Sequence, residues 1–325
     1  MPPKSAFVVM VMEAQAVINK IKYSKLLRMF VFCILVLTGN STAQDSERPP
    51  FKHYFVQGNV HMFEPANTNG NPGALVGDDG ILLIDSHFDF SVEDLLASLR
   101  EVSDQEINFV VNTHVHPDHM GGNNKLAAYG VTILAHDTVR LQMLEEIRIP
   151  RRGGTFIPAP PAEARPVITY SDAISFHLNE EEVRVFLAPP AHTGGDSFVY
   201  FKGSDVLHLG DVFRTNMYPI IDKYNGGSFH GMIEAMGLAI GMSGPNTKVI
   251  PGHGAGPSDR AGMIVYQDLL FTMRDRVKEL KEEGMSAEQI VAAKPMADYD
   301  DRYGGVPSWT ADDVIPIIYE ELQEQ

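Results

Sequence analysis

Cysteine is nearly absent from this chain of 325 residues, in which Cys33 is the single one. One cysteine excludes an intramolecular disulfide and a zinc site built from several thiolates, so a metal site must use histidine and carboxylate ligands. Basic residues are also scarce, since 26 lysines and arginines face 42 acidic residues and the formal net charge is −16. We therefore expect no nucleic-acid partner, because proteins that bind nucleic acids carry a basic surface.

A long apolar run is missing as well. The apolar stretch from Met29 to Leu37 follows a basic segment and is about half of the roughly 20 residues that a membrane span needs. The small residues Ser41, Thr42 and Ala43 come next, in the order that is typical of a signal peptide. We predict that residues 1–43 are a signal peptide, and that the mature protein is periplasmic or secreted, without a stable membrane anchor.

Short β-rich runs alternate with helical patterns after Phe55, which indicates an α/β architecture. The clearest strand predictions are 74–76, 81–85, 107–112, 131–135, 182–186, 197–201, 206–209 and 248–250. A long helix is predicted from Asp259 to Glu283, because apolar residues recur there at steps of three and four. The Pro- and Gly-rich stretch 151–166 is predicted to be a loop. We expect residues 44–325 to form a single domain with a C-terminal helical extension from about residue 257.

The stretch from His114 to His119 carries the chemistry. In the order His-Val-His-Pro-Asp-His it places four potential metal ligands within six residues, directly after the apolar run 107–111. At a strand end, His114 and His116 point to the same side and converge on one ion. Pro117 prevents the strand from continuing, so Asp118 and His119 turn toward a second ion. The pattern therefore predicts a site for two metal ions.

Three later segments offer one further ligand each, at His192, Asp211 and His253, all beside glycines. Together with the histidine motif, and in this order, they resemble the sequence motifs of the metallo-β-lactamase superfamily from about Phe55 to about Gly256. The resemblance implies an αββα sandwich of two mixed β-sheets flanked by helices, with the metals at one edge between the sheets.

The resemblance also implies a role for each position. His114, His116 and His192 correspond to ligands of a first zinc, and Asp118, His119 and His253 to ligands of a second. Asp211 takes the position that bridges the two ions, and Asp85 matches a carboxylate that supports the ligand loop from behind. Zinc suits this nitrogen and oxygen ligand set, and iron or manganese also fits it.

Aspartate at 211 favours one part of the superfamily. The β-lactamases usually carry cysteine or serine near this position, whereas enzymes similar to glyoxalase II and lactonases carry aspartate. We therefore predict a binuclear zinc hydrolase in which the metals lower the pKa of a bridging water. The expected targets are esters, thioesters, lactones or amides, and Asp118 is expected to orient the nucleophile as well as bind metal.

Three other functions stay open at the level of sequence. They are a β-lactamase, a mononuclear iron persulfide dioxygenase of the same fold, and a metal-binding protein without turnover. Arg214, Asn216 and Tyr218 follow Asp211 closely and are candidate substrate-binding residues, Arg214 because its guanidinium can hold a carboxylate with two hydrogen bonds. The loops 64–72 and 151–166 are candidate walls of the substrate groove, because long irregular loops are often functional.

Overall fold

The computed structural model describes residues 51–66, 69–150 and 154–323. The predicted signal peptide, residues 1–43, lies outside them. Within these ranges no helix combines the length and the apolar character needed to cross a membrane.

Strands and helices alternate along the chain. The strands are β1 (Lys52–Gln57), β2 (Val60–Glu64), β3 (Gly73–Gly77), β4 (Gly80–Ile84), β5 (Ile107–Asn112), β6 (Thr132–His136), β7 (Ile147–Ile149), β8 (Thr155–Ile157), β9 (Ile168–Tyr170), β10 (Ala173–Leu178), β11 (Glu181–Leu187), β12 (Ser197–Phe201), β13 (Val206–His208), β14 (Lys248–Ile250) and β15 (Ser258–Asp259). The helices are α1 (Val92–Arg100), α2 (Pro117–Met120), α3 (Asn123–Ala128), α4 (Asp137–Gln142), α5 (Phe229–Met242), α6 (Arg260–Glu282), α7 (Ala287–Ala293), α8 (Asp300–Tyr303) and α9 (Ala311–Glu321).

These strands form two mixed sheets. The first has the order β1-β2-β3-β4-β5-β6-β9, antiparallel from β1 to β4 and parallel from β4 to β9. The second has the order β10-β11-β12-β13-β14-β15, and its parallel pair is β13 with β14. A separate hairpin joins β7 and β8.

The sheets pack face to face with helices outside them. Alternation along a strand sends successive side chains to opposite faces, so Leu82 of β4 lies in the core between the sheets while Leu83 lies in the core beneath α1. Val199 and Val206 of the second sheet share the inner core with Leu82. A third core lies among the second sheet, α5, α6 and α9. The predicted αββα sandwich of two mixed sheets is therefore confirmed.

The C-terminal part is helical after residue 259. The predicted long helix is confirmed as α6, whose first turn is capped by the Asp259 side chain accepting a hydrogen bond from Gly262 N at 3.0 Å. It ends before Gly284, whose φ of +89° favours glycine. One loop prediction was wrong, because stretch 151–166 contains β8. Cross-strand pairing with β7 orders these residues despite their prolines and glycines.

Candidate metal centre

Two parallel strands in the middle of the first sheet end side by side at the site. β4 ends at Ile84 and β5 at Asn112, so the loops that follow them leave the same edge of the sheet. Asp85 accepts hydrogen bonds from Thr113 N at 2.7 Å and from Thr113 Oγ1 at 2.8 Å. Its Oδ2 also lies 2.7 Å from His119 Nδ1. This buried carboxylate therefore holds both the loop after β5 and the His119 ring.

The loop after β5 carries the histidine motif. His116 has an extended backbone and Pro117 begins α2, at the helix position where the missing N–H of proline costs nothing. The His114 ring lies 4.9 Å from the His116 ring and 4.1 Å from the His119 ring, centroid to centroid. The strand end and the first turn of α2 thus bring these imidazoles together, with Asp118 on the same turn.

The second sheet supplies the other three residues. His192 lies in the loop between β11 and β12, whereas Asp211 follows β13 and His253 follows its parallel neighbour β14. Close approach of these two loops requires glycine at 252. A Cβ on Gly252 would lie 2.2 Å from Asp211 Oδ1 and 2.5 Å from the Gly210 backbone. Neither contact is sterically possible, so a side chain here would displace Asp211.

All seven sequence-predicted ligands meet at this edge in two groups. The first is His114, His116, His192 and Asp211, and the second is Asp118, His119 and His253. Within each group the potential ligand atoms lie within 4.8 Å of one another.

The Asp211 carboxylate stands between the two groups. Its Oδ2 lies 3.7 Å from His114 Nε2 and 3.4 Å from His192 Nε2. Its Oδ1 lies 3.1 Å from His119 Nε2 and 3.2 Å from His253 Nε2. One carboxylate oxygen therefore faces each group, and the bridging of two ions by Asp211 stays a prediction.

Buried polar atoms at this point fit metal ions. Among the described residues, His114 Nε2, His119 Nε2 and Asp211 Oδ1 are buried and make no hydrogen bond. Buried polar groups are nearly always hydrogen-bonded, so a convergent set of nitrogen and oxygen atoms without a hydrogen bond marks a place for a ligand. Imidazole nitrogens and carboxylate oxygens together suit zinc, iron or manganese. Metal binding by the seven residues stays a prediction.

The electrostatic surroundings favour the metal-binding protonation state in several of the seven ligand candidates. Burial alone would raise the pKa of the Asp211 carboxyl, but the Arg214 guanidinium and neighbouring histidines hold it well below its usual range. Burial also lowers the pKa of His114 well below normal and that of His192 to about 3. These two imidazoles are therefore neutral at physiological pH, which is the form that binds metal. The pKa of His119 is raised well above normal, because three nearby carboxylates outweigh its burial.

His116 is oriented by a residue that the sequence analysis missed. Its Nε2 lies 2.7 Å from Asp222 Oδ2, so its Nδ1 faces His192 Nε2 at 2.9 Å. Asp222 is fully buried and caps a short turn by accepting from Tyr224 N and Asn225 N. A capping aspartate was readable from the sequence, but its contact with a histidine 106 residues away was not. Such outer partners fix which imidazole nitrogen faces a metal.

A cleft of about 280 Å³ opens beside the two groups. Its lining residues are Asn69, His116, Pro117, Asp118, Ile149, Pro150, Asp211, Arg214, Met217, Ile220, His253, Gly305, Val306, Pro307, Ser308 and Trp309. Asp118 is the ligand candidate most open to it, with 16% of its side chain exposed. The two groups of candidate ligands thus lie at one side of a small cavity whose other walls are largely apolar.

Of the three predicted substrate-binding residues, the structure places one in this cleft. Arg214 lines it and donates to the Asp211 carboxylate and, at 2.8 Å, to Met217 Sδ. Tyr218 is fully buried, and its hydroxyl donates to Met296 O and Asp300 Oδ1 in the C-terminal helices. The structure therefore does not bring the Tyr218 hydroxyl into this cleft, and substrate binding by Tyr218 stays a prediction.

Asn216 is exposed and does not line the cleft, and its substrate contact stays a prediction. The loop 64–72 contributes Asn69 to the cleft, and Gly70 N donates to Asp118 Oδ2 at 3.4 Å. The described part of stretch 151–166 contributes nothing to the lining, which instead takes Ile149 and Pro150 from the end of β7. The segment 305–309, which the sequence analysis did not single out, forms a further wall.

Comparison with known proteins gives a family and a fold. A model of the metallo-β-lactamase superfamily matches residues 67–276, which include all seven candidate ligands and Asp85. A metallo-β-lactamase from Pontibacter korlensis shares 17% identity with a TM-score of 0.57, over 68% of this chain and 98% of that one. The DIM-1 metallo-β-lactamase shares 17% identity with a TM-score of 0.55, over 69% of this chain and 98% of that one.

A third similar structure is larger. The inverting sec-alkylsulfatase Pisa1 from Pseudomonas sp. shares 16% identity with a TM-score of 0.62, over 83% of this chain. This chain spans 50% of the length of that protein. Identities this low show a common fold and leave the reaction to be argued from the site.

Proposed function

This chain belongs to the metallo-β-lactamase superfamily, whose members are mostly metal-dependent hydrolases, and on that premise we propose that it is a binuclear zinc-dependent hydrolase. The proposed substrate is a small molecule with an ester, thioester, lactone or amide bond. One observation carries the proposal: Asp211 directs one oxygen to each of two ligand groups that converge on the same cleft. Iron and manganese are compatible with the same ligands.

The proposed hydrolysis assigns different roles to the bound metals and to Asp118. When bound, the metal ions supply a Lewis acid and a water acidic enough to act as nucleophile near neutral pH. Burial raises the pKa of Asp118, but His119 and His253 outweigh it and hold the pKa well below normal. Asp118 is thus an ionised carboxylate that reaches the cleft, where it orients the nucleophile as well as binding metal. No serine or cysteine nucleophile is required.

Arg214 supports an anionic group on the substrate. It is a cation at the cleft wall, and its Nη1 donates to a thioether sulfur, a weak acceptor that a carboxylate outcompetes. This favours β-lactams as a second candidate substrate, since the antibiotics carry a carboxylate near the scissile amide. Asp211 in place of cysteine or serine favours the ester, thioester and lactone group.

We also propose that the protein is exported, because the basic and apolar order of residues 1–43 is typical of a signal peptide. The small residues Ser41, Thr42 and Ala43 place the mature N-terminus at Gln44. Peptide mapping of protein from the native host tests this. An N-terminal peptide that begins before Met29 contradicts it.

Metal analysis combined with a substrate panel tests the catalytic proposal. We expect two zinc ions per chain in zinc-replete protein, and turnover of at least one chromogenic ester, thioester, lactone or β-lactam. An alkyl sulfate in the panel separates attack at a carbonyl from sulfate-ester hydrolysis. One iron per chain with persulfide oxidation would instead identify a dioxygenase. Two bound ions without turnover of any substrate would indicate a metal-binding protein.

A further inference from the structure

One wall of the cleft comes from outside the region that the family model matches. The match ends at residue 276, whereas the segment Gly305–Trp309 lines the cleft with the metal groups. This segment, which we call the C-terminal wall, connects α8 to α9. The helical extension therefore contributes directly to the space that a substrate occupies.

Hydrogen bonds fix the C-terminal wall relative to the metal centre. Trp309 Nε1 donates to Pro219 O at 2.9 Å, and Tyr218 N donates to Tyr303 O at 3.2 Å. Pro219 and Tyr218 belong to the segment between Asp211 and Asp222. Because both ends of that segment contact the ligand groups, the wall is anchored to the same backbone that positions the metals.

The C-terminal wall is uncharged and largely apolar. Val306, Pro307 and Trp309 face a cleft whose other apolar members are Ile149, Pro150, Met217 and Ile220. The charged groups in the cleft lie with the metal ligands and Arg214. The cavity of about 280 Å³ lies at the small end of the range of ligand pockets, which is about 300–1,000 Å³. It therefore suits a compact apolar group placed next to the bond that is cleaved.

We propose that the C-terminal wall is the specificity-determining element, with Val306 and Trp309 selecting substrates whose acyl group is short and apolar. This rests on the proposed hydrolase function. Burial of apolar groups in such a pocket favours each methylene that fits. A chain longer than the pocket meets Val306 and Trp309. Because Trp309 is buried and its ring nitrogen donates to Pro219 O, it cannot move aside easily, so the longer chain is disfavoured.

Val306→Phe tests the wall by filling the cleft, and Val265→Phe on α6 is the matched control because Val265 is 41% exposed. The substrates are para-nitrophenyl acetate, butyrate and octanoate with zinc-loaded protein. We expect the wild type to prefer butyrate to octanoate in kcat/KM. Val306→Phe should lower butyrate turnover by about tenfold or more and leave acetate nearly unchanged, the scale of discrimination expected of an apolar pocket. Val265→Phe should match the wild type.

Trp309 gives a binding readout that does not need turnover, because it is the only tryptophan of the chain. Titration of zinc-loaded protein with butyrate should change its emission saturably. Val306→Phe should weaken that response, and Val265→Phe should preserve it. Both phenylalanine variants retain the single tryptophan.

The outcomes separate the two proposals. An unchanged preference among the three esters in Val306→Phe, or a butyrate titration that leaves Trp309 emission unaltered, overturns the role of the C-terminal wall while hydrolysis stands. If the wild type cleaves no ester, thioester, lactone or β-lactam, the hydrolase proposal fails. In that case the butyrate titration still decides whether the wall binds a short apolar group.

Discussion

Replacing Asp211 with asparagine tests the centre most directly, since the change preserves shape and removes one negative charge. The carboxylate oxygens lie 3.1 to 3.7 Å from four imidazole nitrogens of both groups. Two unit charges about 4 Å apart interact by about 4 kcal/mol at an effective dielectric constant of about 20. That energy corresponds to about a thousandfold in Kd at about 1.4 kcal/mol per tenfold step.

We expect Asp211→Asn to lose the second ion first. The first group keeps three buried histidines, of which His116 contacts Asp222 and His192 donates to the Ile220 carbonyl. The second group retains the partly exposed Asp118. Zinc titration monitored by elemental analysis after dialysis should therefore show one ion per chain, with turnover largely lost.

Arg214 pairs with Asp211, so the effect of Asp211→Asn on metal binding has to be separated from its effect on the buried Arg214 charge. Its guanidinium is 2% exposed and pairs with the Asp211 carboxylate. Leaving a buried charge without its partner costs about 3–5 kcal/mol of stability. We therefore compare Asp211→Asn with Arg214→Met and with the double variant, in which no buried cation is stranded. Loss of the second ion in the double variant shows that charge at the metals, and not misfolding, causes it.

Asp211→Cys is the complementary test. A thiolate restores the charge and binds zinc at about 2.3 Å, so we expect the second ion to return and the substrate profile to shift. Should Asp211→Asn keep two tightly bound ions and unaltered turnover, the carboxylate does not bridge the metals. The comparison with the glyoxalase-like members then loses its main support.

Four further variants extend these tests. Asp118→Ala and His253→Ala should each retain one ion and lose most turnover, and two retained ions by elemental analysis would contradict this. Asp222→Asn should weaken metal binding about 10- to 100-fold, as loss of an outer partner of a ligating histidine does; competition with a zinc chelator measures it. Burial raises the pKa of Glu321, but hydrogen bonds from the first turn of α5 lower it overall. The ionised Glu321 carboxylate therefore stabilises the folded protein fully above the pKa of a glutamate in the unfolded chain, about 4.3. This stabilisation is lost as the pH falls through the lower pKa that Glu321 has in the folded protein. Glu321→Gln should remove about 1.5–3 kcal/mol at pH 7, and urea melts showing an unchanged pH slope below about pH 4.5 would refute this.

Local rules in the sequence predicted an α/β architecture and a metal site at His114–His119, whereas the sandwich and the roles of the seven ligand candidates were implied by the family resemblance. Near-continuous apolar runs in β4 and β5 mark strands that contact a core on each face of the sheet. Ligands placed directly after parallel strands leave the same edge of a sheet. Aspartate at 259 and glycine at 284 bound α6 through capping preferences that are equally local.

Long-range contacts set the features that sequence reasoning missed. Tyr218 was expected in the cleft because it lies close to Asp211 in sequence, yet its hydroxyl is satisfied by Met296 and Asp300. Likewise, β8 forms in a stretch rich in proline and glycine because β7 is there to pair with it. Neither partner can be identified from the periodicity of one segment.

The segment from Asp211 to Asp222 shows why the ligand candidates indicate the class of reaction but not the identity of the substrate. Its two ends hold the metal groups, whereas Met217 faces the cleft and Tyr218 packs against the C-terminal helices. Substitutions in those helices can therefore change the shape of the cleft through this segment without replacing a ligand candidate. Different parts of the chain thus determine the reaction and the choice of substrate. Only the residues that determine the reaction lie at strand ends, where they can be identified from the sequence.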